Sequence, residues 1–324
     1  MLKWDNYAIK IEFVQRIVGA LPKNPDVIDS WVKSRIKDDD AKAEARTAQL
    51  IEEVDAKEEI DKKWVGFKRD SFGIYLEDRN VNAMLREAAN TLELFKGKGG
   101  YAKKQTFQHG LFISPFRLYF KRPQSAVPFI CWNNLPGNGD SILRTALQAS
   151  PGMGWIDHQD ITKAMKGNAL LIKGISQEIE RAADGEAVSK DVDQEVKIVL
   201  DLPHNTATLY LNDIEQFAWV AKIKGGKTYL YDDVLKQPDN SQDRMIHVTT
   251  RLGPRDSLKR EDYVEVGTQL HWNIRVLIPT SKEHANLSPS MIEDMVSLGQ
   301  SIGLGGSRSQ CFGQFKLISF EHIL

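Results

Sequence analysis

GLGGSRSQCFGQF, residues 303–315, is the stretch that decides how this chain is interpreted. Its closely spaced glycines leave the backbone open to an approaching ligand, since no Cβ stands in the way. Successive amides in such a turn can form an anion-binding nest, and the planar guanidinium of arginine is suited to phosphate. We therefore predict phosphate contacts along this loop. The residues concerned are Gly303, Gly305, Gly306, Ser307, Arg308 and Ser309.

The segments on either side of the loop have different predicted structures. Residues 288–301 are predicted to be a helix that opens with Ser288-Pro289, because proline is favoured in the first turn. Residues 314–320 are predicted to form a strand. The order helix, loop, strand differs from a Rossmann turn, which runs from strand to helix, and the loop lacks the Gly-Lys-Ser/Thr of a Walker loop.

The loop closely resembles the C-terminal glycine-rich loop of the RAMP superfamily, the repeat-associated RNA-binding proteins of CRISPR systems. That loop has the general form G-x-G-x-x-R-S-x-G-F-G-x-F, and this chain has Cys311 where glycine is usual. The similarity covers mainly 7–25, 72–94 and 244–324. Members of the superfamily are built on a modified RRM core that often carries insertions.

Strand-like and helix-like patterns alternate in both halves of the chain. Strands are predicted at 7–18, 110–120, 268–278 and 314–320, and helices at 26–63, 79–94 and 288–301. This order predicts an α+β fold, with a ferredoxin-like or RRM-like core whose antiparallel sheet has helices on one face. We expect one RAMP-like domain over 1–324, elaborated by a charged helical insertion at 33–63 and by an insertion or subdomain at 136–240.

The composition is that of an ordinary globular protein, with 41% hydrophobic and 27% charged residues in 324. No apolar run approaches 18 residues, so we expect no membrane association. Two cysteines, Cys131 and Cys311, favour a reducing cytoplasm over a disulfide scaffold. No Cys/His group has zinc spacing, and we predict neither a metal nor a cofactor.

The formal net charge of −1 argues against a protein that coats polyanions over its whole surface. The charges are nevertheless segregated along the chain. Acidic residues collect in 38–61 and 177–194, and basic residues in 96–122 and 244–260. A local basic groove is therefore compatible with the overall charge.

Further candidate RNA contacts come from three other basic segments. The first surrounds the Gly253-Pro254 turn, because a basic hairpin suits the tracking of a single-stranded backbone. The second is the predicted helix at 79–94, where two arginines seven residues apart share one side. The third is the loop after the first strand. These residues are Arg251, Arg255, Lys259 and Arg260, then Arg79 and Arg86, and then Lys23.

Each candidate also has a purely structural explanation. Arg308 can form a salt bridge that closes the sheet, the residues around 249–260 can form a solvated loop, and Arg79 or Arg86 can pair with acidic neighbours on its own helix. In the resembling subunits a protruding hairpin separates the bound bases into segments. In this chain we expect the corresponding hairpin at 249–260 or at 220–247.

The resemblance implies a non-catalytic backbone subunit of a CRISPR-type ribonucleoprotein effector complex. Such a subunit binds single-stranded guide RNA through its phosphates, so binding is sequence-tolerant and sensitive to salt. Its expected partners are the guide RNA, copies of itself arranged head to tail, and other subunits of the complex. Two alternatives remain open. One is a guide-RNA-processing endoribonuclease that uses His109 or His247, and the other is an assembly protein of a mobile element that kept the fold without RNA.

Overall fold

The structure is a computed structural model in which the chain divides into two compact units. The core unit comprises 1–121 and 235–324, and the second unit comprises 122–234; the sequence predicts an insertion or subdomain at 136–240. The structure describes residues 3–36, 39–70, 72–96, 106–125, 127–131, 162–166, 169–181, 187–201, 206–211, 214–224, 227–250, 253–278 and 287–323.

The core unit is a mixture of helices and mostly antiparallel strands, which confirms the predicted α+β class. Its helices are α1 (Pro25–Lys33), α2 (Asp40–Glu53), α3 (Asp78–Thr91) and α4 (Pro289–Ile302). Its strands before the second unit are β1 (Lys3–Phe13), β2 (Ile17–Val18), β3 (Leu21–Pro22), β4 (Trp64–Gly66), β5 (Lys68–Arg69), β6 (Ile74–Glu77), β7 (Leu111–Ser114) and β8 (Arg117–Tyr119).

The second unit is a seven-stranded antiparallel sheet. Its strands are β9 (Val127–Cys131), β10 (Thr162–Lys166), β11 (Ala169–Arg181), β12 (Ala187–Asp201), β13 (Thr206–Leu211), β14 (Ile214–Lys224) and β15 (Lys227–Asp232). They lie in the order β10-β11-β12-β13-β14-β15-β9. The chain then returns to the core unit as β16 (Asn240–Thr250), β17 (Gly253–Val264), β18 (Gln269–Ile278) and β19 (Phe315–Ile323).

The centre of the core unit is a four-stranded sheet in the order β19-β1-β18-β7, and all neighbouring strands are antiparallel. β1 is paired on both sides at Ile9, which lies opposite Trp272 of β18 on one side and Phe320 of β19 on the other. Alternate residues of β1 and β18 face the core, as the period of a strand requires. Those residues are Tyr7, Ile9, Ile11, Phe13, Leu270, Trp272, Ile274 and Val276.

Helices α3 and α4 contribute the other half of this core and pack against each other. They meet closely at Gly299, where a Cβ would lie 2.6 Å from the sulfur of Met84. Their buried apolar residues recur at helical spacing, which gives each helix one face toward the core. They are Val81, Met84, Leu85, Ala88 and Ala89 on α3, and Ile292, Met295 and Val296 on α4. In the described part of the chain, no helix has the length and apolar character needed to cross a membrane.

The predicted single helix over 26–63 is wrong. The chain forms α1 and α2 instead, because Asp39 caps a new helix by accepting a hydrogen bond from the amide of Lys42. The two helices share a small core of Ile28, Val32, Ala43, Leu50 and Val54. The predicted strand over 110–120 is likewise divided into β7 and β8, with Pro115 between them, since proline cannot donate to a strand ladder.

Strands β16 and β17 form a long hairpin, which we call the arm. Its register runs without interruption from Asn240 opposite Tyr263 to Thr250 opposite Gly253. At its base, β17 pairs with β2 in the antiparallel direction and with β4 in the parallel direction, and β4 pairs with β3. A separate three-stranded sheet has the order β5-β6-β8.

The segment 303–313, which we call the glycine loop, joins α4 to β19 and is fixed by the backbone. Gly313 has φ of +71°, and its carbonyl accepts a hydrogen bond from the amide of Leu304. A Cβ at this position would lie 1.9 Å from the carbonyl oxygen of Leu304. Both the left-handed backbone and the lack of space therefore require glycine here.

Gly313→Ala should therefore lower the free energy of unfolding by about 3 kcal/mol or more, because strain and a backbone clash act together. Gly267→Ala is the matched control. Gly267 has φ of +80°, but a Cβ added there would meet no atom within 4 Å, so only the backbone cost of about 1–2 kcal/mol applies. Chemical denaturation of both variants measures the difference. Equal losses would contradict the clash.

Candidate functional site

Several amides of the glycine loop are used by the fold. The amide of Gly306 donates to the carbonyl of Val18, and that of Gly313 donates to the carbonyl of Arg16. The amides of Gly303 and Leu304 donate to the carbonyls of Gly299 and Gly313. These four donors are satisfied inside the protein, so a phosphate would have to meet other parts of the loop.

The loop is attached to the arm through one buried carboxylate. Glu261 on β17 is 0% exposed, and its Oε1 accepts a hydrogen bond from Ser307 at 2.9 Å. The guanidinium of Arg244 on β16 binds both oxygens, with Nε at 3.0 Å and Nη2 at 2.8 Å. Lys259 Nζ lies 2.8 Å from the same carboxylate. Two cations and a hydroxyl thus converge on one negative charge.

These contacts determine the ionisation of Glu261. Burial by itself raises the pKa of Glu261, but hydrogen bonds from Arg244, Lys259 and Ser307 outweigh it and lower that pKa to about 2. The carboxylate is therefore charged over the whole physiological range. Arg244 also donates to Gln310 and to Ser307, and its guanidinium lies 5.6 Å from the ring centre of Phe312. The arm therefore holds the loop at three of its residues.

Beside the loop lies a groove of about 350 Å³. Its walls come from the β2–β3 segment, α1, β4–β6, the start of α3 and the glycine loop. The residues that line it are Val18, Gly19, Ala20, Leu21, Trp31, Arg35, Gly66, Phe67, Lys68, Tyr75, Leu76, Glu77, Arg79, Asn80, Ala83, Gly305 and Arg308. Four of these side chains are cationic and one is anionic, so the lining is basic although the whole chain is not.

One wall of the groove consists of closely packed backbone. A Cβ on Gly19 would lie 2.3 Å from the carbonyl carbon of Gly66, and a Cβ on Gly306 would lie 2.7 Å from the carbonyl oxygen of Gly19. Side chains are therefore excluded where three segments of the chain meet.

The floor of the groove holds a buried ion cluster. Lys68, which is 3% exposed, forms salt bridges with Glu53 of α2 and with Glu77 at the end of β6. Glu77 also pairs with Arg79. A buried charge is tolerated only when it is paired in this way. The cluster attaches the charged helix α2 to the core. It also neutralises the charge of Lys68, which is therefore not available to a ligand.

The rim of the groove carries the more accessible cations. Arg308 Nη1 lies 2.9 Å from Glu87 Oε2 on α3, with the two side chains 32% and 51% exposed. Arg35, on the turn after α1, has its guanidinium 4.1 Å from the ring centre of Trp31. Among the residues that the structure describes, Arg35 has no carboxylate partner. The structure thus brings Arg79 and Arg308 together and adds Arg35 to them.

Lys23 and Arg260 meet at a different place, around Trp64. Lys23 Nζ lies 4.8 Å and the Arg260 guanidinium 4.5 Å from its indole ring, and Asp262 accepts hydrogen bonds from both Lys23 and the indole. Cations over an aromatic face are stabilised by the ring quadrupole. This cluster fixes the base of the arm, and its residues are not among those that line the groove.

The remaining predicted contacts are scattered. Lys259 is engaged by Glu261, whereas Arg86 on α3 and Ser309 on the loop are exposed. Arg251 lies outside the described residues. The structure describes the backbone at Arg255, His109 and His247 but not their side chains, so their candidate roles stay predictions.

The sequence interpretation missed Trp31, Arg35 and Glu261. Trp31 and Arg35 have a visible signal, because residues four apart on a helix are neighbours, but the sequence pattern places both in one long charged helix. Glu261 has no such signal, since it stands in a run of charged residues. Its burial depends on the packing of the arm against the loop.

No model of a known protein family matches this chain, and comparison with curated proteins finds no match either. The groove itself offers guanidinium groups and an indole ring, which together suit an anionic ligand with flat groups. Within the described residues, no three His, Cys, Asp or Glu side chains are grouped to hold a metal ion.

Glu261→Gln should lower the free energy of unfolding at pH 7 by about 3 kcal/mol, because Arg244 and Lys259 lose their buried counter-ion. The wild-type advantage should be complete above the unfolded-state pKa of about 4.3 and should shrink as pH falls toward 2, because the folded-state pKa is depressed. Denaturation at a series of pH values measures this. Glu265→Gln, which breaks the exposed pair with Arg16, should cost less than about 1 kcal/mol. A gap between wild type and Glu261→Gln that does not change with pH would contradict the assignment.

Cys311→Gly should stabilise the protein by about 0.5–1 kcal/mol. Cys311 is exposed and has φ of +66°, a conformation that costs a non-glycine residue about 1–2 kcal/mol, partly offset by the greater freedom of glycine when unfolded. Ser309→Gly, two residues earlier in the 3₁₀ turn, is the control and should be neutral or slightly destabilising. The melting temperatures of both variants measure these effects. A melting temperature of Cys311→Gly below that of wild type would contradict backbone strain at Cys311.

Proposed function

We propose that this protein is a non-catalytic, single-stranded RNA-binding subunit, of the kind that lines the guide RNA in CRISPR-type ribonucleoprotein complexes. RNA phosphates would bind in the groove beside the glycine loop. The observation that carries this proposal is the convergence of Arg35, Arg79 and Arg308 on one groove that also contains Trp31. These residues come from α1 and the turn after it, from α3 and from the loop, so only the folded chain assembles them.

The charge of the groove favours phosphate over other ligands. Guanidinium groups bind phosphate through two parallel N–H donors and keep their charge at every physiological pH. Lys68 is neutralised by the buried cluster, so the rim arginines supply the attraction. A basic groove on a chain of net charge −1 confines a polyanion to one site.

The aromatic ring of Trp31 supports a nucleic acid rather than a simple polyanion. The guanidinium of Arg35 covers one face of this ring, 4.1 Å from its centre, so a base would stack on the Arg35–Trp31 pair, and such stacking adds affinity without sequence preference. This is the behaviour expected of a subunit that must accept any guide sequence. Phosphate contacts set the register of the strand, and they carry no sequence information directly.

We further propose that the core is a ferredoxin-like unit. Along the chain its elements follow the order β1, α3, β7, β18, α4 and β19, which is the pattern β-α-β-β-α-β. In the sheet the fourth strand of this series lies beside the first, and the third lies between the first and the second. The glycine loop then occupies the connection between the second helix and the last strand.

The remaining parts of the proposal come from the resemblance of the glycine loop to RAMP proteins. They are the guide RNA as the bound strand, the stacking of copies of the chain along it, the other effector subunits and the cytoplasm. The net charge of −1 for the whole chain is compatible with stacking, since strongly charged repeated subunits would repel one another.

Arg35→Ala and Arg308→Ala should each weaken binding to a single-stranded RNA 20-mer by about three- to tenfold, and should reduce the salt slope of the affinity by about one. Fluorescence anisotropy at several salt concentrations measures both quantities. Arg46→Ala is the control, because Arg46 is on the same helical hairpin but bonds to Gln49 and is not in the lining of the groove. It should leave affinity and slope unchanged.

Wild-type protein that does not bind RNA would overturn the proposal. Equal effects of Arg35→Ala, Arg308→Ala and Arg46→Ala would show that any binding is nonspecific and lies elsewhere. Because the proposed function is non-catalytic, the RNA should be recovered at full length after incubation, as judged on a denaturing gel. Cleavage that His109→Ala or His247→Ala abolishes would favour the endoribonuclease.

A further inference from the structure

We propose that Glu87 is a counter-ion that competes with the bound strand for Arg308, an inference that rests on the proposed function. In the free protein the carboxylate of Glu87 forms a salt bridge with the guanidinium of Arg308, with 2.9 Å between Arg308 Nη1 and Glu87 Oε2. A phosphate of the bound strand would take its place. Glu87 would thus be a displaceable counter-ion that a ligand must replace with a negative charge of its own.

The pair is weak enough to be exchanged. Both side chains are partly exposed, at 32% and 51%, and an exposed ion pair contributes little because water and salt screen it. Glu87 also has no second cation among the described residues. Its release therefore leaves no other ion pair of its side chain to be lost, and the carboxylate returns to solvent.

The carboxylate that lines the groove behaves differently. Glu77 is buried and is shared between Lys68 and Arg79. Removing one member of a buried cluster leaves an uncompensated charge, which is strongly unfavourable. Glu77 therefore stays in place when a ligand binds, and Arg79 remains partly neutralised. Arg308 is the cation that changes partner.

Displacement of Glu87 from Arg308 depends on the charge of the ligand. A phosphodiester brings one negative charge per nucleotide and restores the pairing of Arg308, so the loss of the Glu87 contact is compensated. A strand with a neutral backbone offers no such replacement and leaves Arg308 with its original partner. Glu87 thus lowers the affinity for a charged strand, which has to displace it from Arg308, and leaves the affinity for a neutral strand unchanged.

Glu87→Gln should strengthen binding to a single-stranded RNA 20-mer by about two- to fivefold, the range expected when a competing surface pair is removed. Glu93→Gln is the matched control. Glu93 lies six residues further along, just after α3, and pairs with Lys96, which is not in the lining of the groove. Glu93→Gln removes the same charge without freeing Arg308, so the change in RNA affinity should be much smaller. In an Arg308→Ala background, Glu87→Gln should have no more effect than Glu93→Gln.

A second readout tests the pair without RNA. Phenylglyoxal modifies accessible, unpaired arginines, and peptide mass spectrometry should show faster labelling of Arg308 in Glu87→Gln than in wild type or Glu93→Gln. Wild type that binds RNA with an affinity unchanged by Glu87→Gln would overturn this inference alone. So would a gain that persists without Arg308, or unaltered labelling. Wild type that does not bind RNA at all would overturn the proposed function, and this inference with it.

Discussion

The buried carboxylate of Glu261 is the constraint on which the site depends. It is fully enclosed, and it is stabilised by Arg244 and Lys259 from the arm and by Ser307 from the glycine loop. Removing a charge from water is unfavourable unless partners replace the lost hydration. The arm and the loop must therefore meet in one arrangement for this charge to be satisfied, and that arrangement fixes the backbone on which Arg308 stands.

The groove shows how a chain with balanced charge can present a basic surface. Its lower layer is neutral, because the charges of Lys68 and Arg79 balance those of Glu53 and Glu77. Its upper layer is cationic, because Arg308 is only loosely paired and Arg35 rests on an indole ring. Cations that are paired within the fold and cations that are accessible to a ligand are thus separated by depth. The same residue types serve both purposes, and burial decides between them.

Much of the fold could be predicted from local patterns, because α4, β18 and β19 have strong periodicity and clear boundaries. The division of 26–63 into two helices could not, because the cap at Asp39 stands among other acidic residues. The site was only partly predictable. Three glycines and the single arginine at 303–308 mark the loop, but several of its amides prove to be bonded within the fold. The contact of Gly19 with Gly66 and the burial of Glu261 arise from segments far apart in sequence, which no local pattern reveals.

The arm has a mechanical consequence for the loop. Its two strands pair without a bulge over their whole length, and its base is held by pairing with β2 and β4. Because Arg244 holds Ser307, Gln310 and Phe312 near that base, a sideways displacement of the arm would strain its contacts with the glycine loop. The outer end of the arm and the rim of the groove are therefore not mechanically independent, although they lie on different parts of the chain.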